Sequence, residues 1–216
     1  YKPRVSYRET IGSKATVTGQ CNRQIGATQL FARVDIIVEP LEDRASDAIV
    51  LDQFFGEHAL PDNLKAAVME ELRSRAQGGG AIGSFPLTGL KISLVGGEMR
   101  EVGSDEVAFR IAANDAFEQA LQQGTPTLLE PVMRLDIITP EDYLGEIAGD
   151  LQQRRATIES TESRGAMTGL IAFAPLKELF GYSSAIRSLS QGRAGCSMEP
   201  HGYQAAPESD VESFGF

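Results

Sequence analysis

Apolar residues recur at helical spacing in a stretch near the C-terminal end of the chain, residues 174–195. The positions that share one helix face are Leu179, Tyr182, Ile186 and Leu189. Their steps of three and four residues predict an amphipathic helix that packs against a sheet. Pro175 is expected at the first helical position, where a missing N–H has no helical partner, and Gly192 is expected to end the helix in a left-handed conformation.

The first 124 residues alternate apolar and polar positions over shorter segments. These patterns predict strands over residues 4–11, 16–21, 30–41, 48–54 and 87–95. A turn is expected at residues 96–97. Two helices are predicted, one that Pro61 opens and one that Ser104 caps. The inner face of the second helix is expected to contain Phe109, Ala113, Ala116, Phe117 and Ala120. This half is therefore expected to be β-rich, with two packed helices.

The sequence Gly124-Thr125-Pro126 breaks the second helix and marks the expected domain boundary. Six elements follow it in the order βαββαβ. They are expected at residues 129–138, 140–153, 157–161, 168–174, 174–195 and 196–199. This order is typical of a ferredoxin-like domain, in which two helices cover one face of a four-stranded antiparallel sheet. The remaining residues, 204–216, are small, polar and acidic, and we expect them to be disordered.

Composition and charge limit the classes of function. The chain has 216 residues and a formal net charge of −10, so any contact with nucleic acid needs a local basic patch. No apolar run is long enough to suggest a membrane span, and a cytoplasmic protein is expected. Because Tyr1 starts the chain and a strand-like segment follows at once, we expect a piece of a longer protein. Cys21 and Cys196 are expected to be reduced thiols, although a single bridge stays open.

Motifs for catalysis are weak or missing. Residues 78–83 read GGGAIG, but they follow a helix and open none, which does not fit a dinucleotide-binding loop. The phosphate-binding pattern GxxxxGK[ST] is not present in the sequence. His58 and His201, the two histidines, have no neighbouring nucleophile signature or second metal ligand at useful spacing. The chain is therefore expected to have no catalytic site, no metal site and no cofactor of its own.

Several short runs, in order, resemble the C-terminal part of the translation elongation factor G family. They are VSYRETI (5–11), VEPLE (38–42), VAFRIAA (107–113), LLEPVM (128–133), TPEDY (139–143), GDLQQRR (149–155) and the stretch 174–195. The resemblance implies an α+β chain of two domains. Residues 1–124 would form domain IV, similar to domain 2 of ribosomal protein S5, and residues 125–203 would form the ferredoxin-like domain V, followed by the acidic tail 204–216.

The resemblance also implies a ribosome-binding tip on domain IV, made of two loops. The residues it assigns there are Gly12, Ser13, Lys14, Gly97, Glu98, Met99 and Arg100. Arg100 stands where the family usually has His, and it keeps a positive charge and a planar hydrogen-bonding fork. The family's glycine-rich run GGRGQYGH aligns with residues 26–33, which read GATQLFAR here. This departure predicts more regular strand packing and points to a specialised paralogue.

Of the basic residues on domain V, Arg187 and Arg193 are the predicted ribosome contacts. The implied partners are ribosomal RNA of the decoding region and of the large-subunit GTPase-associated region, together with tRNA and mRNA, bound by a monomer. The implied function is tRNA and mRNA translocation, or ribosome recycling. GTP and Mg²⁺ would belong to a G domain that these residues do not contain.

Two alternatives remain at this point. One is a ribosome-protection GTPase of the tetracycline-resistance type, which conferral of drug resistance on a host would favour. The other is a stand-alone RNA-binding or ribosome-assembly protein without GTPase activity. A start codon directly before Tyr1 in the gene would favour it, whereas an upstream open frame that encodes GxxxxGK[ST] would exclude it.

Overall fold

The computed structural model describes residues 5–53 and 60–216. Their contacts divide the chain into two compact units. The larger unit comprises residues 8–129 and 205–216, and the smaller unit comprises residues 5–7 and 130–204. The predicted division at Gly124 stays a prediction, because each unit also takes in residues from one end of the chain. The predicted start of the first strand at Arg4, the end of the fourth at Phe54, and His58 lie outside the described residues.

A four-stranded sheet and two helices form most of the larger unit. Its elements are β1 (Arg8–Ile11), β2 (Ala15–Ile25), β3 (Thr28–Pro40), β4 (Ile49–Asp52), α1 (Asp62–Ala76), β5 (Leu90–Glu98) and α2 (Glu106–Gln123). The sheet order is β2-β3-β5-β4. β4 is parallel to β5, and α1 connects the two strands, which makes a βαβ unit. β1 pairs instead with residues 126–129 at the start of β6 (Pro126–Pro140).

The core of the larger unit lies between its sheet and its two helices. All five residues predicted for the inner face of α2 are buried, which confirms that prediction. α2 approaches β2 so closely that a Cβ atom on Gly19 would lie 2.1 Å from the carbonyl oxygen of Ala112. Glycine at this strand position therefore allows the helix backbone to contact the strand.

Two local predictions in the larger unit are wrong. Gly96 and Gly97 form no turn, because β5 continues through both of them to Glu98. A Cβ atom would lie 2.7 Å from the Asp35 carboxylate at Gly96 and 2.9 Å from the Arg33 carbonyl oxygen at Gly97, so close packing accounts for the glycines. The cap of α2 is Asp105, not Ser104, since the Asp105 carboxylate accepts the Ala108 N–H at 2.8 Å.

The smaller unit has the predicted ferredoxin-like fold. Its elements are the greater part of β6, α3 (Leu144–Gln153), β7 (Thr157–Arg164), β8 (Met167–Pro175), α4 (Tyr182–Leu189) and β9 (Gly195–Ala205). The strand order is β9-β6-β8-β7, which confirms the βαββαβ arrangement. Leu135, Ile137, Leu170 and Ala172 of the sheet form one core with Ile147 and Leu151 of α3 and with Tyr182 and Ile186 of α4.

The helix predicted over residues 174–195 is interrupted. Residues 176–179 form a 3-10 turn, Phe180 is extended, and Gly181 has a φ of 77° before α4 begins. A left-handed residue cannot continue a right-handed helix, so the stretch bends there. Leu179 and Tyr182 are nevertheless buried on the same core. The predicted left-handed conformation is confirmed at Gly192, whose φ is 78° and whose N–H donates to the Arg187 carbonyl oxygen, but α4 already ends at Leu189, and Gln191, with a φ of 52°, is the first left-handed residue after it.

The acidic C-terminal segment is ordered, contrary to the expectation from its composition. β9 extends to Ala205, and a short helix, α5, follows at Glu208–Glu212. Asp210 is buried, and the ring of Phe214 makes an edge contact with Phe85 at a centroid distance of 5.2 Å. The apolar ring therefore anchors a segment that charge alone would leave in solvent.

Two of the runs that resemble the family each contain a buried carboxylate, Glu9 in VSYRETI and Glu130 in LLEPVM, and both carboxylates form hydrogen bonds within the fold. Glu9 accepts backbone N–H groups of Ile82, Gly83 and Phe85 at 2.6, 3.2 and 2.7 Å, so the glycine-rich loop binds an internal carboxylate. Glu130 accepts two hydrogen bonds from Arg155 at 3.0 and 3.1 Å. That contact raises the pKa of the Arg155 guanidinium. Both acids are therefore structural residues.

Candidate functional site

The structure separates the two loops that the sequence assigned to one tip. Ala15, directly after Gly12, Ser13 and Lys14, pairs with Val38 of β3. Glu98 pairs with Arg33 of the same strand. Five residues of an extended strand span about 17 Å, so the two loops lie at different ends of β3. The structure therefore does not bring the two loops together at one tip, because β2 and β5 both run antiparallel to β3, so that the loop before β2 lies near the C-terminal end of β3 and the loop after β5 lies toward its N-terminal end. The role of these residues in ribosome contact stays a prediction.

The loop of residues 12–14 is held by the segment that follows α2. The N–H groups of Gly12 and Ser13 both donate to the Gly124 carbonyl oxygen at 2.9 Å. The Ser13 hydroxyl lies 3.1 Å from the Thr125 hydroxyl, and the Lys14 ammonium lies 3.6 Å from the Glu39 carboxylate. The polar groups of this loop therefore have internal partners.

Residues 99–104, which we call the Arg100 loop, are organised around Phe31 of β3. The Phe31 N–H donates to the Gly103 carbonyl oxygen at 3.0 Å, and the Ser104 hydroxyl donates to the Phe31 carbonyl oxygen at 2.5 Å. Ser104 also accepts the Arg100 N–H at 2.8 Å. Three hydrogen bonds thus join the loop to itself and to the strand, and they account for Ser104 without a capping role.

Gly103 allows this close contact between loop and strand. Its φ is 86°, and a Cβ atom at this position would lie 1.9 Å from the Gln29 carbonyl oxygen. Both the left-handed conformation and the lack of space require glycine. Glycine at position 103 therefore allows the Arg100 loop to pack directly against β3.

The Arg100 side chain lies over the Phe31 ring. Its central guanidinium carbon is 3.9 Å from the ring centroid, within the range of a cation–π contact. Arg100 is exposed, whereas Phe31 is buried. Within residues 5–53 and 60–216, no carboxylate forms an ion pair with Arg100. By contrast, Arg33 on the same strand lies 2.7 Å from Glu98 and 3.5 Å from Asp35.

Exposed apolar side chains surround this end of the sheet. Val102 and Met99 of the Arg100 loop are 77% and 40% exposed, and Ile25 in the hairpin between β2 and β3 is 56% exposed. A cation that lies over an aromatic ring, forms no ion pair with the described residues and is accompanied by apolar side chains is suited to contact a ligand that is both planar and electron-rich. Of the predicted tip residues, Gly97, Glu98, Met99 and Arg100 lie at or beside this end.

The sequence analysis did not name Phe31 or Ser104 as site residues. Phe31 lies in the run 26–33, whose loss of glycines predicted regular strand packing. That packing is confirmed, since β3 starts at Thr28 and buries Leu30 and Phe31. The signal for the site was therefore an aromatic residue at position 31, where the family's run has Tyr, together with an arginine where the family usually has His, although nothing in the sequence connects the two positions.

Arg187 and Arg193, the residues predicted for contact on the smaller unit, are both exposed. Arg187 lies on α4, and Arg193 follows the left-handed Gly192. In the described part of the chain neither forms an ion pair. Other arginines of this unit are paired: Arg134 lies 3.3 Å from Glu199, and Arg164 lies 3.5 Å from Glu162.

Other chemistry is sparse. Among the described residues, no group of three or more His, Cys, Asp or Glu side chains could hold a metal ion. Cys21 and Cys196 are free thiols, and burial raises the pKa of Cys196 to about 11. His201 stacks on Phe173 at a centroid distance of 4.3 Å. None of the described helices combines the length and apolar character needed to cross a membrane.

Known proteins similar to this chain point to one family. A family model described as elongation factor G, domain IV, matches residues 3–125, and one described as elongation factor G C-terminus matches residues 127–213. Elongation factor G of Fervidobacterium nodosum is 40% identical over 212 residues, which cover 98% of this chain and 30% of that protein. Elongation factor G of Thermotoga maritima is 38% identical with the same coverage.

The fold is also similar to a solved structure. A crystal structure of a protein from Thermus thermophilus matches with a TM-score of 0.76 and 30% sequence identity. The match covers 98% of this chain and 31% of that chain. The chain therefore spans about a third or less of the length of the relatives that it matches.

Proposed function

Because the chain belongs to the elongation factor G family, we propose that it is the ribosome-binding part of a translation factor that moves tRNA and mRNA through the ribosome. The observation that carries the proposal is the match to relatives named elongation factor G at about 40% identity over 98% of this chain. In this proposal the chain performs no catalysis. GTP and Mg²⁺ bind in a G domain outside these residues.

Arginines that form no ion pair with any described residue support two contact surfaces. In a chain with a net charge of −10, exposed cations without carboxylate partners are the groups available to RNA. Arg100 is one such group on the larger unit, and Arg187 and Arg193 are two on the smaller unit. We assign Arg100 to the decoding-region RNA with its tRNA and mRNA, and Arg187 and Arg193 to the GTPase-associated RNA of the large subunit.

The two surfaces have different tasks in this proposal. Arg187 and Arg193 anchor a monomeric cytoplasmic factor on the ribosome, where each contributes a phosphate contact. The Arg100 loop acts on the tRNA and mRNA as they move. A recycling role remains a finer version of the same proposal, in which the factor uses the same contacts on ribosomes that have ended synthesis.

Ribosome affinity and translocation, measured with the natural full-length protein, test the proposal. The wild type should bind ribosomes and move tRNA in a single-round assay with GTP. Arg187→Ala/Arg193→Ala should weaken binding on the order of tenfold at physiological salt, because two phosphate contacts are lost. The matched control is Arg134→Ala/Arg164→Ala, which also removes two charges but from arginines that are paired with Glu199 and Glu162. It should change affinity by less than about twofold.

Each outcome separates a different part of the proposal. Failure of the wild type to bind ribosomes would contradict the function as a whole. Binding and GTP hydrolysis without movement of tRNA would leave a ribosome factor but replace translocation by recycling or protection. Equal loss of affinity in the two double variants would reject Arg187 and Arg193 as specific contacts.

A further inference from the structure

The guanidinium of Arg100 lies over a buried aromatic ring. Its central carbon lies 3.9 Å from the centroid of the Phe31 ring, while the side chain as a whole is exposed. We propose that the outer face of this guanidinium stacks on an unpaired RNA base, and that Phe31 is the positioning residue that orients it. The proposal rests on the ribosome-binding function above and names the mode of contact, a stack of ring, guanidinium and base.

A guanidinium plane is a known surface for bases, because its weakly hydrated faces stack on aromatic systems while its edge donates hydrogen bonds. The contact with Phe31 leaves the opposite face for a second planar group. No carboxylate of the described residues pairs with Arg100 and competes for its edge. The guanidinium therefore contacts Phe31 on one side and can contact a base on the other.

The surroundings favour a base over a phosphate group. Val102, Met99 and Ile25 expose apolar side chains at this end of the sheet. Glu101 in the loop and Asp105 at the start of α2 add negative charge, which opposes a phosphate but affects a neutral base little. A base can bury apolar surface there, whereas a phosphate would need more than one cation.

The loop is held in advance of binding. Ser104 and Gly103 bond to the backbone of Phe31, and Ser104 also accepts the Arg100 N–H. A contact group that is already ordered loses little conformational entropy on binding. The Phe31 ring orders the side chain itself, and a substitution of Phe31 should therefore act on the contact through Arg100.

A series of substitutions at position 100 distinguishes a stack from a charge contact. Arg100→His keeps a planar ring that can lie on Phe31, whereas Arg100→Lys keeps the charge and loses the plane. The readouts are the rate of single-round translocation at saturating protein, and chemical protection of bases in the ribosome complex. If a base stacks on Arg100, Arg and His should be similar, and Lys and Ala should be slower by about fivefold to tenfold or more.

Phe31→Leu tests the positioning role. This variant keeps a buried apolar side chain and the charge of Arg100 but removes the ring, and it should slow translocation about as much as Arg100→Lys. The melting temperature confirms that it folds. Arg23→Ala is the charge control: Arg23 pairs across the hairpin with Leu30 and so faces away from Phe31, and no carboxylate of the described residues pairs with it. It should change the rate by less than about twofold.

The opposite results overturn the proposal. Lys as active as Arg, with His as slow as Ala, would mean a contact between charge and phosphate. An effect of Arg23→Ala equal to that of Arg100→Ala would mean that net charge at this end decides the rate. Loss of ribosome binding by the wild type would instead contradict the proposed function, and the two failures are therefore distinguishable.

Discussion

Two loops of the larger unit each carry an exposed cation, Lys14 or Arg100, but the two cations have opposite surroundings. In the loop of residues 12–14, the N–H groups of Gly12 and Ser13 donate to Gly124, and Lys14 pairs with Glu39. In the Arg100 loop the backbone is equally well bonded, but the cation is left without a carboxylate in the described part of the chain and lies on an aromatic ring. The cation of the first loop is paired within the protein, whereas the cation of the second loop is exposed and lies over the Phe31 ring. The contacts of the two cations, more than their exposure, therefore distinguish the two loops.

The largest effect on stability is expected from Gly103→Ala, which disrupts the close contact between the Arg100 loop and β3. The new Cβ would lie 1.9 Å from the Gln29 carbonyl oxygen, and the φ of 86° is strained for alanine. The free energy of unfolding should fall by roughly 3 kcal/mol, measured by urea unfolding. Cys21, which is buried on β2, should also react faster with an alkylating reagent, as peptide mass spectrometry can detect.

The control for this change is Gly26→Ala in the hairpin between β2 and β3. Gly26 has a similar φ of 61°, but no atom lies within 4 Å of its added Cβ. It should lose only about 1 kcal/mol, the cost of the left-handed conformation. Equal losses for Gly26→Ala and Gly103→Ala would mean that the Arg100 loop is not seated on β3 as the structure has it.

A smaller effect should separate the two serines of the loops. Ser104→Ala removes a donor to Phe31 and an acceptor for Arg100, and should lower the free energy of unfolding by about 1–2 kcal/mol. Ser13→Ala removes one exposed hydroxyl contact with Thr125 and should cost less than about 0.5 kcal/mol. Thermal unfolding of both variants measures the difference. A cost at Ser13 as large as that at Ser104 would contradict the contrast between the loops.

The smallest effect is expected from Lys14→Ala. Its ion pair with Glu39 at 3.6 Å lies on the surface, where such pairs stabilise by less than about 1 kcal/mol. Stability should change by at most about 0.5 kcal/mol, and single-round translocation should stay within about twofold of wild type. A marked loss of translocation with unchanged stability would return Lys14 to the functional surface that the sequence analysis assigned to it.

Element order could be read from the sequence because it depends on local periodicity. The inner face of α2 and the βαββαβ order of the smaller unit are confirmed, since each rests on several apolar positions with one repeat. The points at which helices and strands end could not be read from the glycines in the sequence. Gly181 interrupts a helix that the apolar spacing made continuous, and Gly96 and Gly97 lie within a strand, because a glycine in a sequence does not reveal whether it serves a turn or a close approach.

The candidate site could be predicted only in part. Arg100 was named from family resemblance, but Phe31 lies 69 positions earlier, and the hydrogen bonds of Ser104 cross a similar distance. Gly12, Ser13 and Lys14 were placed at the same tip from the family resemblance. Strand pairing decides which ends meet, and the register of β2 and β5 on β3 puts these loops apart.

The sequence alone determined the family, the α+β class and the apolar face of α2, because these depend on ordered motifs and on the spacing of apolar side chains. Only the tertiary structure decided which cation is unpaired, which ring supports it and which loop adjoins it. Those properties depend on contacts between residues far apart in the chain. A linear pattern shows that a charge is present, whereas the neighbours that neutralise or orient the charge come together only when the sheet forms.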